Sequence, residues 1–178
     1  MQYTKLGNSD LTVSRICMGC MGFGDAKNGQ HSWTLDEAHS REILRRGLEL
    51  GVNFFDTAIG YQSGTSEQYV GRAVRDFAKR EDVVVATKFL PRTLEEIAAG
   101  ISGQRHIENM INTSLKNLGL DYVDLYIYQM SYQRGVLKSM KRFFLSALCV
   151  CLTLCGYAPS AAPAASQALP ALLPSASQ

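Results

Sequence analysis

Residues 52–58 are Val-Asn-Phe-Phe-Asp-Thr-Ala, and the first five of them predict a short buried strand that ends in an acid. Gly51, just before this stretch, is placed to end a helix in the left-handed conformation. In parallel α/β folds, ligands gather at the carboxyl ends of the strands. Asp56 is therefore a candidate functional residue. Tyr61, five positions later, belongs to the loop at the same end of the strand.

Strands and helices alternate on both sides of this segment. Further strands are predicted at residues 15–18, 83–88 and 123–128. Helices are predicted from a capping box at Thr34 and Glu37 to Gly51, from Thr65 or Ser66 to Phe77, and through Ile107, Ile111, Leu115 and Leu118 to Gly119. This alternation indicates a parallel sheet with right-handed crossovers, preceded by a β-hairpin at residues 3–13. The predicted fold class is α/β.

The distribution of charge divides the chain near residue 130. All 16 acidic residues lie at or before Asp124, and no charged side chain follows Arg142. The formal net charge of +2 indicates neither a nucleic acid nor an acidic partner. We therefore predict two regions, a folded part at 1–130 and an unrelated tail at 131–178.

The tail begins with basic residues and continues into an apolar segment at 143–155. The remainder is rich in Ala, Pro and Ser, which predicts a disordered or irregular end. Thirteen residues are short for a bilayer span, so membrane contact through 143–155 stays an alternative. Residues 1–6 are polar and short, unlike a targeting peptide, and we expect a cytoplasmic protein.

Cys17 and Cys20 form a C-x-x-C pair. This spacing allows a redox dithiol or half of a zinc site, which needs two more ligands. The favoured interpretation is two buried thiols near a strand end, and no metal is predicted.

Four polar residues meet at the carboxyl ends of the predicted strands: Asp56, Tyr61, Lys88 and Gln129. A phenol ordinarily has a pKa of about 10, and a nearby ammonium stabilises the phenolate. Lys88 could thus activate Tyr61 as a general acid toward a substrate oxygen, with Asp56 holding the ammonium in place. Singly, each residue is better explained by packing, capping or a solvated strand end. Their convergence at several strand ends favours a site.

Several ordered motifs show that the sequence resembles the aldo-keto reductases, closest to the bacterial and potassium-channel-β-like branch. The resemblance runs from Met1 to about Met130. The matching segments are 53–58 with Tyr61 and Gly71, the lysine strand at 85–88, and residues 118–126.

This resemblance implies the N-terminal half of a (β/α)8 barrel and the NADPH-dependent reduction of a small carbonyl substrate. By resemblance, Tyr61 is the proton donor, Lys88 its activator and Asp56 their partner. Gln129 occupies the position of the family's catalytic histidine, and a glutamine amide does not titrate near neutral pH.

For the cofactor, the resemblance implies that Gly19, Cys20 and Met21 lie near the nicotinamide ribose, and that Asp56 also contacts it. The spacing of the surrounding glycines does not match the G-x-G-x-x-G fingerprint of dinucleotide-binding folds.

A complete (β/α)8 barrel needs roughly 250 residues, more than the 178 of this chain. Four strands cannot close a barrel, so we expect a truncated fold that either folds poorly alone or self-associates through an open sheet edge, with impaired or absent activity. The alternatives are a non-catalytic half-barrel that binds and regulates a partner, and a membrane-associated remnant.

Overall fold

The computed structural model describes residues 1–129, and the predicted tail at 131–178 lies outside the described residues. The strands are β1 (Tyr3–Lys5), β2 (Thr12–Ser14), β3 (Met18–Gly19), β4 (Phe54–Asp56), β5 (Val84–Phe89) and β6 (Leu125–Tyr128). The α-helices are α1 (Glu37–Glu49), α2 (Thr65–Phe77), α3 (Leu94–Ala98) and α4 (Gly103–Leu118). Short 3-10 turns cover Tyr61–Gly64 and Arg80–Asp82.

Four of the strands form one parallel sheet in the order β3-β4-β5-β6. Its register aligns Phe55 with both Met18 and Val85, and Ala86 with Leu125. Strands β1 and β2 pair antiparallel as a separate hairpin. The predicted α/β class, parallel sheet and leading hairpin are confirmed, and the arrangement is consistent with part of a (β/α)8 barrel.

The hydrophobic core lies between the sheet and helices α1, α2 and α4. Its fully buried members come from every layer and include Cys20, Leu44, Phe55, Val70, Val74, Val85 and Leu118. The β-branched run of β5 is buried along nearly its whole length, as expected for a central parallel strand covered on both faces. This packing holds the carboxyl ends of the strands at one rim.

The start of α1 differs from the prediction. The N-cap is Asp36, whose Oδ1 accepts a hydrogen bond of 3.0 Å from the backbone N–H of His39. Thr34 does not cap the helix, because its buried hydroxyl donates instead to the carbonyl of Gly24 at 2.9 Å. The capping box predicted at Thr34 and Glu37 is therefore wrong, since tertiary contact draws the threonine back into the preceding loop.

Two helical features escaped the sequence patterns. Helix α3 was not predicted, although Thr93 and Glu96 form a complete capping box in front of it. The buried side of α4 carries His106 and Ser114 beside Leu118, while Ile107 is exposed. Apolar periodicity therefore located α4 without identifying the polar groups that it buries.

His106 joins α4 to the segment that follows β5. Its Nδ1 lies 3.0 Å from Glu96 Oε1, and its Nε2 lies 2.8 Å from the carbonyl oxygen of Leu90. Both partners are acceptors, so the ring satisfies both contacts only when it is protonated on both nitrogens. Burial and the nearby charge of Arg92 lower the pKa of His106, but the Leu90 and Glu96 contacts outweigh them and raise it above its usual value.

Helices α2 and α4 approach most closely at Gly71. A Cβ at this position would overlap the backbone carbonyl of Leu118, which cannot move aside as a side chain could. Arg75 on the same helix donates from Nη1 to the Leu118 carbonyl at 2.7 Å and thereby satisfies the end of α4. The contact between the helices thus depends on the absence of a side chain at Gly71.

We expect Gly71→Ala to lower the free energy of unfolding by about 1–3 kcal/mol, the usual range for overpacking. Gly103 lies in the first turn of α4, and an added Cβ there would have no neighbour within 4 Å. Gly103→Ala should therefore leave the free energy of unfolding unchanged or raise it slightly. Urea unfolding of the full chain measures both variants. Equal unfolding midpoints for the two variants would contradict the close approach.

The raised pKa of His106 makes stability depend on pH. The protonated ring stabilises the folded chain in full below pH of about 6.5, and this contribution is lost as the pH rises through the higher folded value. We expect the unfolding midpoint to fall with rising pH in the wild-type chain and to fall less in His106→Asn. His39→Asn, at an exposed histidine on α1, is the matched control and should behave as the wild type.

Candidate active site

The carboxyl rim of the sheet brings three of the predicted residues into contact. Asp56 is the last residue of β4, Lys88 is the penultimate residue of β5, and Tyr61 begins the turn that follows β4. In the parallel register Asp56 pairs with Ala86, so Asp56 and Lys88 lie on the same face of the sheet. The predicted convergence of acid, lysine and phenol is present in the structure.

The Lys88 ammonium is surrounded by three oxygen atoms. Nζ lies 2.8 Å from Asp56 Oδ1, donates to the Thr57 carbonyl at 2.8 Å, and donates to the Tyr61 hydroxyl at 3.2 Å. The Asp56 contact is an ion pair that lacks hydrogen-bond geometry, and the buried Oδ1 has no other donor. Only 14% of the Lys88 side chain is exposed, so its charge is held in one place.

This arrangement determines what the Tyr61 hydroxyl can do. Its oxygen accepts a hydrogen bond from Lys88, so its own hydrogen must point elsewhere. The Lys88 Nζ also lies 4.8 Å from the centroid of the phenol ring. A positive charge within hydrogen-bond distance of the phenol oxygen, here 3.2 Å, stabilises negative charge that develops there during proton transfer. The hydroxyl hydrogen of Tyr61 can therefore be donated to an acceptor other than Lys88.

A buried chain of hydroxyls holds the Thr57 backbone in place. The Thr57 and Ser66 hydroxyls lie 3.0 Å apart, and Ser66 Oγ donates to the carbonyl of Cys20 at 2.7 Å. The Cys20 N–H donates in turn to the carbonyl of Asp56 at 2.8 Å. Strands β3 and β4 and helix α2 are therefore linked directly beneath the ammonium.

A second buried network lies on the opposite face of β5. The carboxylate of Glu67, fully buried on α2, accepts from Thr87 Oγ1 at 2.6 Å and from Asn117 Nδ2 at 2.8 Å. Burial, with a smaller contribution from the Glu67 charge, raises the pKa of Tyr126 to about 12. Because Thr87 directly precedes Lys88, this network anchors the strand that carries the ammonium.

Gln129 lies at the same edge as Asp56, Tyr61 and Lys88, which are called the triad below. Its backbone N–H donates to the Phe89 carbonyl at 2.8 Å, which continues the ladder past the end of β6. Lys88 pairs with Ile127 in the register, so the alternation of side chains places Gln129, two residues on, on the triad's face. Within residues 1–129, no hydrogen bond joins its side chain to Lys88 or Tyr61.

The three residues predicted near a cofactor have different surroundings. Gly19 pairs with Asp56 in the register and borders open space, because no atom lies within 4 Å of where a Cβ would stand. Met21 is exposed beside it. Cys20 is fully buried in the core, so its thiol faces away from the rim. Gly19 and Met21 are thus accessible to a ligand, whereas Cys20 supports the loop from within.

The C-x-x-C pair is not a disulfide and is only half buried. Cys20 is buried as predicted, but Cys17 is exposed, so the prediction of two buried thiols is wrong for Cys17. Partial desolvation and the Asp56 carboxylate raise the pKa of the Cys17 thiol to about 11, although the residue as a whole is exposed. Thiolates are the reactive form of cysteine, which disfavours redox chemistry here. In the described part of the chain no group of three metal-ligating side chains is assembled.

The turn that carries Tyr61 was not foreseen in its detail. Gln62 and Ser63 have φ of 46° and 52°, and Gly64 follows with φ of 86°. Left-handed conformations of residues other than glycine cost of order 1–3 kcal/mol each and persist only where the surroundings enforce them. No sequence pattern signals this strain, since neither Gln nor Ser is typical of left-handed positions.

A cavity of about 660 Å³ lies at the other end of the sheet, against the amino ends of the strands. Its walls include Tyr3, Arg45, Asn53 and Lys79. Its charged lining residues carry both signs, and Arg45 forms an ion pair with Glu49. The carboxyl rim, where an ammonium contacts a carboxylate and a phenol, is therefore the better candidate for chemistry.

Comparison with known proteins identifies relatives for most of the described residues. The model of the aldo/keto reductase family matches residues 15–132. Aldo-keto reductase YhdN of Bacillus subtilis (strain 168) is 33% identical over 126 residues, which cover 71% of this chain and 37% of that protein. The "Probable voltage-gated potassium channel subunit beta" of Oryza sativa subsp. japonica is 38% identical over 127 residues, which cover 70% of this chain and 36% of that protein.

A solved structure shows the same architecture. The aldo-keto reductase AKR11C1 from Bacillus halodurans, in its holo form, is 32% identical and superposes with a TM-score of 0.58. The superposition covers 82% of this chain and 46% of that chain. This chain therefore spans little more than a third of the curated relatives described above and under half of the solved structure.

Proposed function

This chain belongs to the aldo/keto reductase family, and on that premise we propose that it carries the site of an NADPH-dependent reduction of small aldehydes or ketones to alcohols. The observation that carries the proposal is the Lys88 ammonium, which contacts the Asp56 carboxylate and the Tyr61 hydroxyl at once. An oxidoreductase of this family needs a proton donor beside a hydride donor. The triad supports the first of these requirements.

In this proposal Tyr61 gives its proton to the carbonyl oxygen of the substrate. The Lys88 ammonium stabilises the negative charge left on the phenol oxygen, which lowers the barrier to proton transfer. Asp56 holds the ammonium in position through the 2.8 Å ion pair. The chain thus supplies the proton, and the alcohol forms when the carbonyl carbon receives a hydride.

A nicotinamide cofactor supplies that hydride when it is bound. The residues at the rim fit such a group, because a Cβ added at Gly19 would have no neighbour within 4 Å and Gly19 lies beside Asp56 in the register. We propose that Gly19, Met21 and Asp56 would hold it. Cys20 would contribute by fixing the loop through its buried side chain.

Gln129 gives the proposed site a different pH response from that of a histidine. Its amide can donate a hydrogen bond to the carbonyl oxygen and orient the substrate. It cannot take up or release a proton near neutral pH, so the amide at this position does not assist Tyr61 in proton transfer. We propose that turnover by this chain is slow for that reason.

A regulatory binding module is the second candidate function. The match to a potassium channel subunit beta supports it, since that protein is named for its place in a channel. In this alternative the parallel sheet recognises a protein partner or a second copy, without chemistry. Affinity purification of the full chain from cells would favour it by recovering a stable complex that persists in Lys88→Met.

A cytoplasmic location is part of the main proposal, and a membrane-associated protein is its alternative. Among residues 1–129, no helix has the length and apolar character needed to cross a bilayer. Segment 143–155 lies outside the described residues. Fractionation of cells distinguishes the two locations, because membrane contact would move the chain into the pellet.

We expect Tyr61→Phe to lower kcat by about a hundredfold or more with little change in KM, because the variant removes the proton donor and retains the ring. The assay follows the loss of NADPH absorbance with a panel of small aldehydes and ketones. Tyr122→Phe, at a half-exposed tyrosine between α4 and β6, is the matched control and should leave turnover unchanged.

Gln129→His should raise kcat and add an ionisation near neutral pH to the rate profile. Fluorescence titration with NADPH tests cofactor binding separately from turnover. Failure of NADPH to bind in a saturable manner, or a Tyr61→Phe variant as active as the wild type, would refute the proposed function.

A further inference from the structure

Gln62 is a buried polar residue next to the proposed proton donor, with no role in the chemistry described above. Only 1% of it is exposed, although its backbone is left-handed. Gln62 and Ser63 are the two non-glycine residues with positive φ among residues 1–129. Something in the surroundings must therefore hold this turn, and with it the backbone of Tyr61.

The Gln62 side chain makes four hydrogen-bond contacts with one loop. The two hydrogens on its Nε2 are shared among three acceptors: the carbonyls of Asp25 at 3.1 Å and His31 at 2.8 Å, and Thr34 Oγ1 at 3.1 Å. Its Oε1 accepts from the His31 N–H at 3.0 Å. The amide therefore satisfies backbone groups of this loop that would otherwise lack a hydrogen-bond partner in a strand.

The loop at residues 24–34 is shaped around this amide. A Cβ at Gly24 would lie 2.6 Å from Gln62 Cβ, and a Cβ at Gly29 would overlap the Gln62 amide itself. The turn also contacts the loop through Thr65, whose hydroxyl donates to the Gln62 carbonyl at 2.7 Å and accepts from the Asp25 N–H at 2.9 Å. The loop and the turn are thus joined both by the Gln62 side chain and by the Thr65 hydroxyl.

Ser63, the second left-handed residue, makes no side-chain contribution to holding the turn. It is exposed, and no hydrogen bond involves its side chain in the described part of the chain. The bonds that compensate for the strained backbone are therefore concentrated on Gln62.

We propose that Gln62 is a positioning residue: it holds the left-handed turn that directs the Tyr61 hydroxyl to the Lys88 ammonium, and it couples that hydroxyl to the loop at residues 24–34. The inference rests on the proposed function for its catalytic meaning, since Tyr61 is the proposed proton donor. The geometric part of the inference can be tested without measuring activity. A substitution in the loop that displaces the Gln62 amide should also displace the Tyr61 side chain.

Two variants disturb the amide in different ways. Gln62→Met keeps the length and packing of the side chain and removes the four hydrogen-bond contacts. Gly29→Ala keeps Gln62 and pushes a methyl group into the end of its side chain, so the amide must shift while the backbone need not. The three atoms nearest to a Cβ at Gly29 all belong to the Gln62 amide, so the added methyl group meets that side chain first.

The controls change the same segments without touching the amide. Ser63→Gly removes the strain at the adjacent residue, and Gly22→Ala adds a methyl group in the preceding loop at an ordinary 3.8 Å from Trp33. Both controls should retain the wild-type spectra described below.

The test is NMR spectroscopy of the full chain. In Gln62→Met and Gly29→Ala we expect loss of the nuclear Overhauser contact between the Tyr61 ring and the Lys88 methylene next to Nζ. The His31 amide should exchange with solvent about tenfold faster, since its acceptor is lost or displaced. Faster loop exchange with an unchanged Tyr61–Lys88 contact would overturn the proposal, because Gln62 would then support the loop alone.

Where Gln62→Met does not fold, Gly29→Ala and the double variant Gln62→Met with Ser63→Gly decide the question. Unfolding of all three would assign Gln62 to the stability of the whole domain and would overturn the positioning role. In the reductase assay, both amide variants should lower kcat by about tenfold with little change in KM. If the wild-type chain has no reductase activity but the two amide variants lose the NMR contact, the proposed function is refuted and the positioning role of Gln62 is supported.

Discussion

A charged ammonium that is mostly removed from water must be surrounded by oxygen atoms, and the rim of this sheet satisfies that requirement for Lys88. The three oxygens come from the end of β4, the residue after it and the following turn. None of them can shift without uncovering the charge. The relative positions of β4, β5 and the Tyr61 turn are therefore coupled, and the rest of the site is arranged around that coupling.

The buried polar groups around the rim extend this constraint into the fold. On one side, the hydroxyls of Thr57 and Ser66 link β4 to α2 and to the Cys20 backbone. On the other, the Glu67 carboxylate joins α2 to β5 and α4. Helix α2 takes part in both, and Gly71 brings it against the end of α4. Helix α2 thus connects the core to both β4 and β5, the strands that carry Asp56 and Lys88.

The loop at residues 24–34 belongs to the same system. It closes over Gln62, the residue after Tyr61, and its two glycines leave room for the amide. The loop that precedes α1 is therefore joined to the turn that carries Tyr61 by the Gln62 amide and by the Thr65 hydroxyl. This connection explains why a strained turn persists beside the most polar point of the rim.

The proximity of Asp56, Tyr61 and Lys88 could be predicted because each residue lies at, or shortly after, the end of a predicted strand. Asp56 and Lys88 terminate apolar runs, and parallel strands bring their carboxyl ends to one edge, so their proximity follows from local pattern and sheet geometry. Tyr61 follows from its distance along the chain. The hairpin, the α/β class and three of the helices follow from periodicity and glycine placement in the same way.

The sequence alone therefore determined the order of the elements and which residues would share a rim, because both depend on short-range patterns and on rules that every parallel sheet obeys. Only the tertiary structure decided the cap at Asp36 in place of Thr34, the burial of His106, the exposure of Cys17 and the role of the Gln62 amide. Each of these depends on a group distant in sequence that competes for the same hydrogen bond or the same space, and no local pattern records which competitor wins.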